Sequence, residues 1–401
     1  MRGSTMTAAA GLALLLGGPA HAEGRDGIKA QMTFSIDEVI PFAEEQFSKA
    51  VKSVNKGYPR NFLADGSLTT TGAKDWTSGF FPGSLWYLYE LTGDEKWASE
   101  ARKSTEGLAE LQHWSGTHDT GFMVYCSYGN GYRLTGDETY KTVIVNTATA
   151  LEERFNSKAG VMASWKNDEA GNQRTIIDNM MNLEMTMWAS KNGGTKSLAE
   201  LSVIHADTTA VNHFRENGSC YHVLHYDPVS GKVIGKKTHQ GFADESDWAR
   251  GQAWAIYGYT MMFRETGKAE YLEISQKTAD HMISRLPADD VIPRWDLDAP
   301  AEKPEKDASA ACIMASAFLE IYEHTGKEKH LDLAILFLNT LSSDDYLAKG
   351  GNYRGGLILH SIGHYPKGTE IDVNINYADY YYLESLVRLK RLIENGHVLP
   401  K

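Results

Sequence analysis

Asp178 and Asp119 are the residues in this chain best placed to do chemistry. Asp178 opens a Met-rich apolar run, Asn179-Met180-Met181, that continues through Leu183, Met187 and Trp188. Asp119 follows His118 in Thr117-His118-Asp119-Thr120-Gly121-Phe122. A carboxylate at a helix start serves as an N-cap and meets the positive end of the helix dipole. Held near a second carboxylate, it can also exchange protons with a substrate. Two further stretches concentrate acids with aromatic rings: Asp75-Trp76-Thr77-Ser78-Gly79-Phe80-Phe81, and the run from Thr238-His239-Gln240 through Trp248, Arg250 and Trp254. Rings beside carboxylates in a cleft suit sugars, since rings stack on sugar faces while polar groups fix hydroxyls. Arg250 and Trp254 stand four apart on an expected helix and face the same way. The planar fork of Arg250 suits a ligand carboxylate, with Trp254 covering the adjacent ring.

These groups need a frame, and a repeated turn supplies it. An aromatic-rich helical run ends in Thr-Gly, and a second helix follows within a few residues. This occurs at Thr92-Gly93, Thr135-Gly136, Thr266-Gly267 and Thr325-Gly326, with a looser break at Gly193-Gly194. Gly takes the left-handed position that ends a helix, and each copy builds an αα-hairpin. Such units bury their apolar faces only by stacking on one another. The copies are about 40 to 75 residues apart, too wide for an open solenoid, so the spacing predicts a closed all-α (α/α)6 barrel with long loops on one face. Helices are expected at about 36–55, 79–92, 95–113, 121–135, 138–155, 178–191, 196–214, 248–266, 269–285, 307–325, 328–343 and 376–394. A small β-hairpin is expected over 223–238 and loops elsewhere.

The 401 residues are 42% hydrophobic and 23% charged, with a formal net charge of −12. That charge disfavours nucleic acid and anionic membranes as partners. Residues 1–22 read as a secretory leader, with Arg2, an apolar core over Ala8–Leu16 and Ala20-His21-Ala22 as the cleavage pattern. The mature protein, residues 23–401, is then one domain, exported to the periplasm. Cys126, Cys220 and Cys312 are an odd set without CxxC spacing and read as buried thiols. No HExxH, His-x-His or EF-hand pattern supports a metal, no glycine run supports a nucleotide, and no cofactor is expected.

Six motifs in order, DWTSGFFPGSLWYLYE, HDTGFM, IIDNMMNLE, NHFRENGSCYHVLHYD, THQGFADESDWARGQAWAIYG and EIDVNINYADYYYLE, resemble the unsaturated glucuronyl hydrolases of glycoside hydrolase family 88. The resemblance runs from about residue 35 to 395. It implies an (α/α)6 barrel that removes 4,5-unsaturated glucuronic acid from the non-reducing end of lyase-generated oligosaccharides, such as glycosaminoglycan disaccharides. It further implies Asp178 as general acid/base and Asp119 as the second essential carboxylate. His118, His222, Thr238, Gln240, Arg250 and Trp254 would line the sugar site, with Trp76 and Asn179 nearby. The segment His360-Ser361-Ile362-Gly363-His364-Tyr365-Pro366-Lys367-Gly368 is a candidate contact for the next sugar and its sulfate, through Lys367 and the histidines, with Ser361 among the expected binding residues. The expected partner is an unsaturated uronate oligosaccharide, and the expected assembly a monomer or weak homo-oligomer. An unsaturated rhamnogalacturonyl hydrolase and a non-catalytic glycan-binding barrel are the competing readings.

Overall fold

A computed structural model describes residues 25–287, 290–350 and 353–400; the expected leader, 1–22, lies outside them. Among these residues, six outer helices alternate along the chain with six inner ones. The outer helices are Ile36–Ser53, Glu95–Glu106, Glu138–Glu152, Ser197–Asn212, Ala269–Ser284 and Glu328–Leu341. The inner ones are Phe80–Thr92, the composite Gly121–Gly129 and Asn130–Thr135, then Asn179–Lys191, Ala249–Thr266, Ala308–Thr325 and Asn376–Asn395. Each inner helix packs on the inner helices before and after it, and Asn376–Asn395 packs back on Phe80–Thr92. The ring is therefore closed, as the hairpin repeat predicts.

Composition decides which helices go inside. Every residue from Ala308 to Ile321 is buried, whereas outer Glu95–Glu106 buries only the stripe Trp97, Ala98, Ala101 and Thr105. A helix that is apolar all round belongs in the core, and one with an apolar stripe belongs at its surface.

The Thr-Gly turns share one hydrogen-bond pattern. Gly93, Gly136, Gly267 and Gly326 have φ of 69°, 67°, 73° and 61°. Each preceding Thr hydroxyl donates to the carbonyl four residues back and accepts the backbone N–H two residues on. Thr therefore closes one helix and restarts the chain for the next. These turns all run from inner to outer helices. The outer-to-inner connections are the long ones, spanning 54–79, 107–120, 153–178, 213–248, 285–307 and 342–375. All six inner helices consequently direct their N-termini to the same, loop-bearing mouth.

Four local expectations are corrected. The 95–113 helix stops at Glu106, and a separate 3-10 turn covers Ala109–His113. The first part of 121–135 is a π-helix, Gly121–Gly129, in a stretch apolar on every side whose pattern carries no preference for 3.6 residues per turn. Tyr58–Phe62 and Leu68–Thr71 form an antiparallel hairpin where a loop was expected. The predicted hairpin exists as Val223–Tyr226 with Val233–Lys237, and Gln173–Ile176 adds a third strand beside Val223–Tyr226. In that ladder Ile176 pairs with Val223, and the Ile177 N–H donates to the His222 carbonyl at 3.0 Å. Two residues 44 positions apart in sequence, Asp178 and His222, are thereby held side by side.

Candidate active site

Asp178 stands between the strand Gln173–Ile176 and the inner helix Asn179–Lys191. Its backbone is αR, at φ −54° and ψ −23°, and its side chain makes no capping hydrogen bond. An N-cap side chain reaches the first-turn N–H groups from an extended backbone, so the capping expectation is corrected and the carboxyl is left to face the cleft. Asp119 precedes the π-helix. Its Oδ2 accepts the Thr117 hydroxyl at 2.6 Å, and its Oδ1 lies 3.1 Å from His118 Nε2.

Burial governs the charge state here. It pushes the Asp178 carboxyl up to about 7, a rise opposed by the Arg250 charge and reinforced by Asp119. It also pushes Asp119 up to about 7, opposed by the Thr117 hydroxyl and Arg154 and reinforced by Asp75. Desolvation penalises the charged form of each, and the Asp119 charge further penalises that of Asp178. Around neutral pH the pair retains protons that ordinary carboxylates have lost.

The histidines are held neutral. Burial drives His118 down to about 3 and His222 well below its ordinary value. His222 Nδ1 accepts the backbone N–H groups of His239 at 3.2 Å and Gln240 at 3.3 Å. That bonding assigns its proton to Nε2, which lies 3.8 Å from Asp178 Oδ1. The ring stacks on Trp248 with centroids 4.2 Å apart.

Arg250 is 1% exposed. Its guanidinium pairs with Asp307 at 2.8 Å, donates to the carbonyls of Ile362 and Gly363, and lies between the Trp248 and Tyr377 rings. Much of its fork is thus spent on fixing the 360–372 loop, a constraint that spacing alone could not show. Gln240 reinforces the junction by donating to the Gly363 carbonyl at 2.9 Å.

A cavity of about 310 Å³ collects these groups. Trp76, His118, Asp119, Asp178, Gln240 and Arg250 line it. Five other residues singled out in the sequence stand behind that lining. His222 and Thr238 brace the wall, with the Thr238 hydroxyl accepting the Gly241 N–H at 2.8 Å. Asn179 donates to the Met162 carbonyl. Trp254 is fully buried between Phe122 and Tyr381, and its indole opposes the Asp178 shift. Ser361 is buried in a backbone bridge to Val373, while His364 and Lys367 of the same segment do reach the cavity.

Arg60 and Trp165 also line the cavity and had been missed. Asp75, His239 and Glu370 join them from within motifs already noted. Arg60 bridges Asp75 at 2.8 Å and Glu370 at 2.8 Å. No signal in the sequence marks that link, because its ends are 310 residues apart. Among the described residues no group of three His, Cys, Asp or Glu could hold a metal ion.

Comparison with known proteins agrees with this geometry. The profile of Glycosyl Hydrolase Family 88 matches residues 47–390. An unsaturated glucuronyl hydrolase of Formosa agariphila is 43% identical over 360 residues, covering 87% of this chain and 89% of that one. Among solved structures, an unsaturated glucuronyl hydrolase specific for heparin superimposes with a TM-score of 0.85 at 42% identity, covering 89% of this chain and 97% of that one. The unsaturated glucuronyl hydrolase of Bacillus sp. GL1, responsible for the degradation of glycosaminoglycan, gives 0.83 at 31%, covering 91% and 98%.

Proposed function

The chain belongs to Glycosyl Hydrolase Family 88, and on that footing we propose that it releases 4,5-unsaturated glucuronic acid from lyase-generated glycosaminoglycan disaccharides. The observation that carries the reading is the pair of buried carboxyls, Asp178 and Asp119, both shifted up to about 7 in one cavity. The substrate is an enol ether. Asp178, protonated at neutral pH, gives its proton to C4, and positive charge develops at C5 and the ring oxygen. The ionised Asp178 then accepts a proton from the water that attacks C5. The C5–O5 bond of the resulting hemiketal breaks to a ketone, and the hemiacetal left at C1 expels the remaining sugar as an alcohol. Six inner-helix N-termini facing this mouth favour the anionic uronate there.

His222, with its Nε2 proton toward Asp178, stabilises the carboxylate formed after proton donation. Sulfate tolerance rests on the outer wall, where Lys367 has no carboxylate partner among the described residues and stands beside His364 and His239.

The test is an assay of sulfated and unsulfated lyase-generated disaccharides that follows loss of the alkene's ultraviolet absorbance. Turnover should disappear in Asp178→Asn while binding persists. If no unsaturated uronate is consumed by the wild type, or if Asp178→Asn retains substantial turnover, the reading falls. The same proposal takes the protein as an exported, periplasmic enzyme whose single catalytic domain is residues 23–401, monomeric or weakly self-associating. The mass of the secreted protein, starting at Glu23, and its elution volume test these points.

A further inference from the structure

Outside the cavity, one exposed aromatic ring is held more firmly than a surface residue requires. Phe242 is 43% exposed, yet the loop carrying it is fixed at three successive N–H groups. Gly241 donates to the Thr238 hydroxyl at 2.8 Å, Phe242 to Asp296 Oδ2 at 2.8 Å and Ala243 to the Ser246 hydroxyl at 3.0 Å. Lys303 Nζ stands 5.4 Å from the Phe242 ring centroid and 5.5 Å from that of Tyr365. Tyr365 is itself stacked on buried Trp295, 4.2 Å away and 6° from parallel. Lys303 makes no ion pair among the described residues.

The platform continues the cavity's outer wall. Phe242 comes two residues after Gln240, and Tyr365 directly follows His364, both of which line the cavity. The two loops are tied by the Gln240–Gly363 hydrogen bond and by the His239 and His364 rings, 4.7 Å apart. In a chain of net charge −12, an ammonium with no ion pair among the described residues, set against the Phe242 and Tyr365 rings beside a sugar cavity, suits a sugar that carries a negative charge, the Glu305 carboxylate being engaged by the Tyr365 hydroxyl.

We infer that Phe242, Lys303 and Tyr365 form a distal subsite for the third sugar of a longer substrate, a uronate whose carboxylate meets Lys303 while its ring rests on Phe242. This rests on the reading of the preceding section, since it extends the same substrate. On this assignment a disaccharide stops short of the platform, and a tetrasaccharide supplies the third sugar that meets it.

The experiment compares unsaturated di- and tetrasaccharides of one unsulfated glycosaminoglycan that the enzyme turns over, using wild type, Lys303→Gln and Phe242→Ser/Lys303→Gln. The wild type should favour the tetrasaccharide in kcat/KM by about tenfold, mainly through KM, as expected for one added hydrogen bond between the Lys303 ammonium and the uronate. The double variant should lose that preference while its disaccharide kinetics stay unchanged, and added salt should erode the preference in wild type. Equal kcat/KM for the two lengths in wild type, or a parallel fall for both in the variants, overturns the subsite. The surface substitution Lys303→Gln alone decides the matter if the double variant folds poorly. Failure to consume either length would instead overturn the proposed function.

Discussion

The two mouths of the ring invert the usual association between a large hole and function. The loop-bearing mouth holds a cavity of about 310 Å³. The opposite mouth, where the Thr-Gly turns lie, opens on one of about 680 Å³ lined by Tyr125, Tyr132, Trp188, Tyr257 and charged residues. The larger space is electrostatically closed. Arg264 pairs with Glu184 and Glu320, Arg388 with Glu320 and Glu384, and Arg133 and Arg391 with Glu90. Tyr87, Tyr257 and Ser316 donate to Glu384. At the smaller mouth, Asp178 Oδ1, His222 Nε2, Asn179 Oδ1 and Arg250 Nε are buried with no hydrogen-bond partner within 3.5 Å among the described residues. Unpaired buried polar atoms are costly, and those that border the cavity are where a bound ligand can satisfy them. Bonding left open, rather than volume, separates the working mouth from the sealed one.

Four experiments can break or sharpen that contrast. Asp119→Asn at the working mouth should lower kcat by about 10²- to 10⁴-fold with little loss of stability, measured as alkene loss beside thermal unfolding. Arg388→Ala at the sealed mouth should do the reverse. It leaves Glu320 and Glu384 short of a partner and should cost about 3–5 kcal/mol, read as a lower midpoint in urea, with KM for a disaccharide unchanged. A change in KM there would mean that the mouths are coupled.

The third experiment concerns pH. Asp178 titrates near 7 folded but near 3.8 unfolded, so the folded state favours its protonated form. Stability from this group is present at low pH and lost as pH rises from about 4 through 7. Asp178→Asn should therefore gain Tm relative to wild type across that window, with no gain below it, and wild-type turnover should fall as pH rises through about 7. The smallest effect is expected from Thr266→Val in a rear turn, about 1 kcal/mol for the two hydrogen bonds lost. Activity at permissive temperature should be untouched, as checked by denaturant unfolding and assay together.

How far the sequence could be read follows from the range of the interactions involved. The rear turns were legible because Thr, Gly and the acid or lysine after them act within six residues of one another. The front acids were legible as types, since Asp178 interrupts an apolar run and Asp119 closely precedes one. Their partners were less so. The strand pairing that brings His222 to Asp178 depends on Gln173–Ile176, a polar stretch with no alternation to betray it. Arg250 looked like a free clamp because Asp307, its buried counter-ion, is 57 residues away. Arg60 sits in Tyr58–Phe62 beside Pro59, a composition that reads as loop. Gly79 in DWTSGFF shows a constraint of another kind: a Cβ there would lie 2.2 Å from the Met123 carbonyl oxygen, so its motif records close packing between hairpins as well as chemistry.

The ring is also closed by residues from the two ends of the chain. Asn376 donates to the carbonyls of Pro59 and Thr77, and Arg60 and Glu370 meet across the cavity. The working mouth therefore cannot exist on a nascent chain, because its first wall is made some 300 residues before its last. Local hairpins form early, whereas contacts of such sequence separation form late. In refolding, helical signal should return before the ability to consume substrate, and that interval measures how long an almost complete ring waits for its last hairpin.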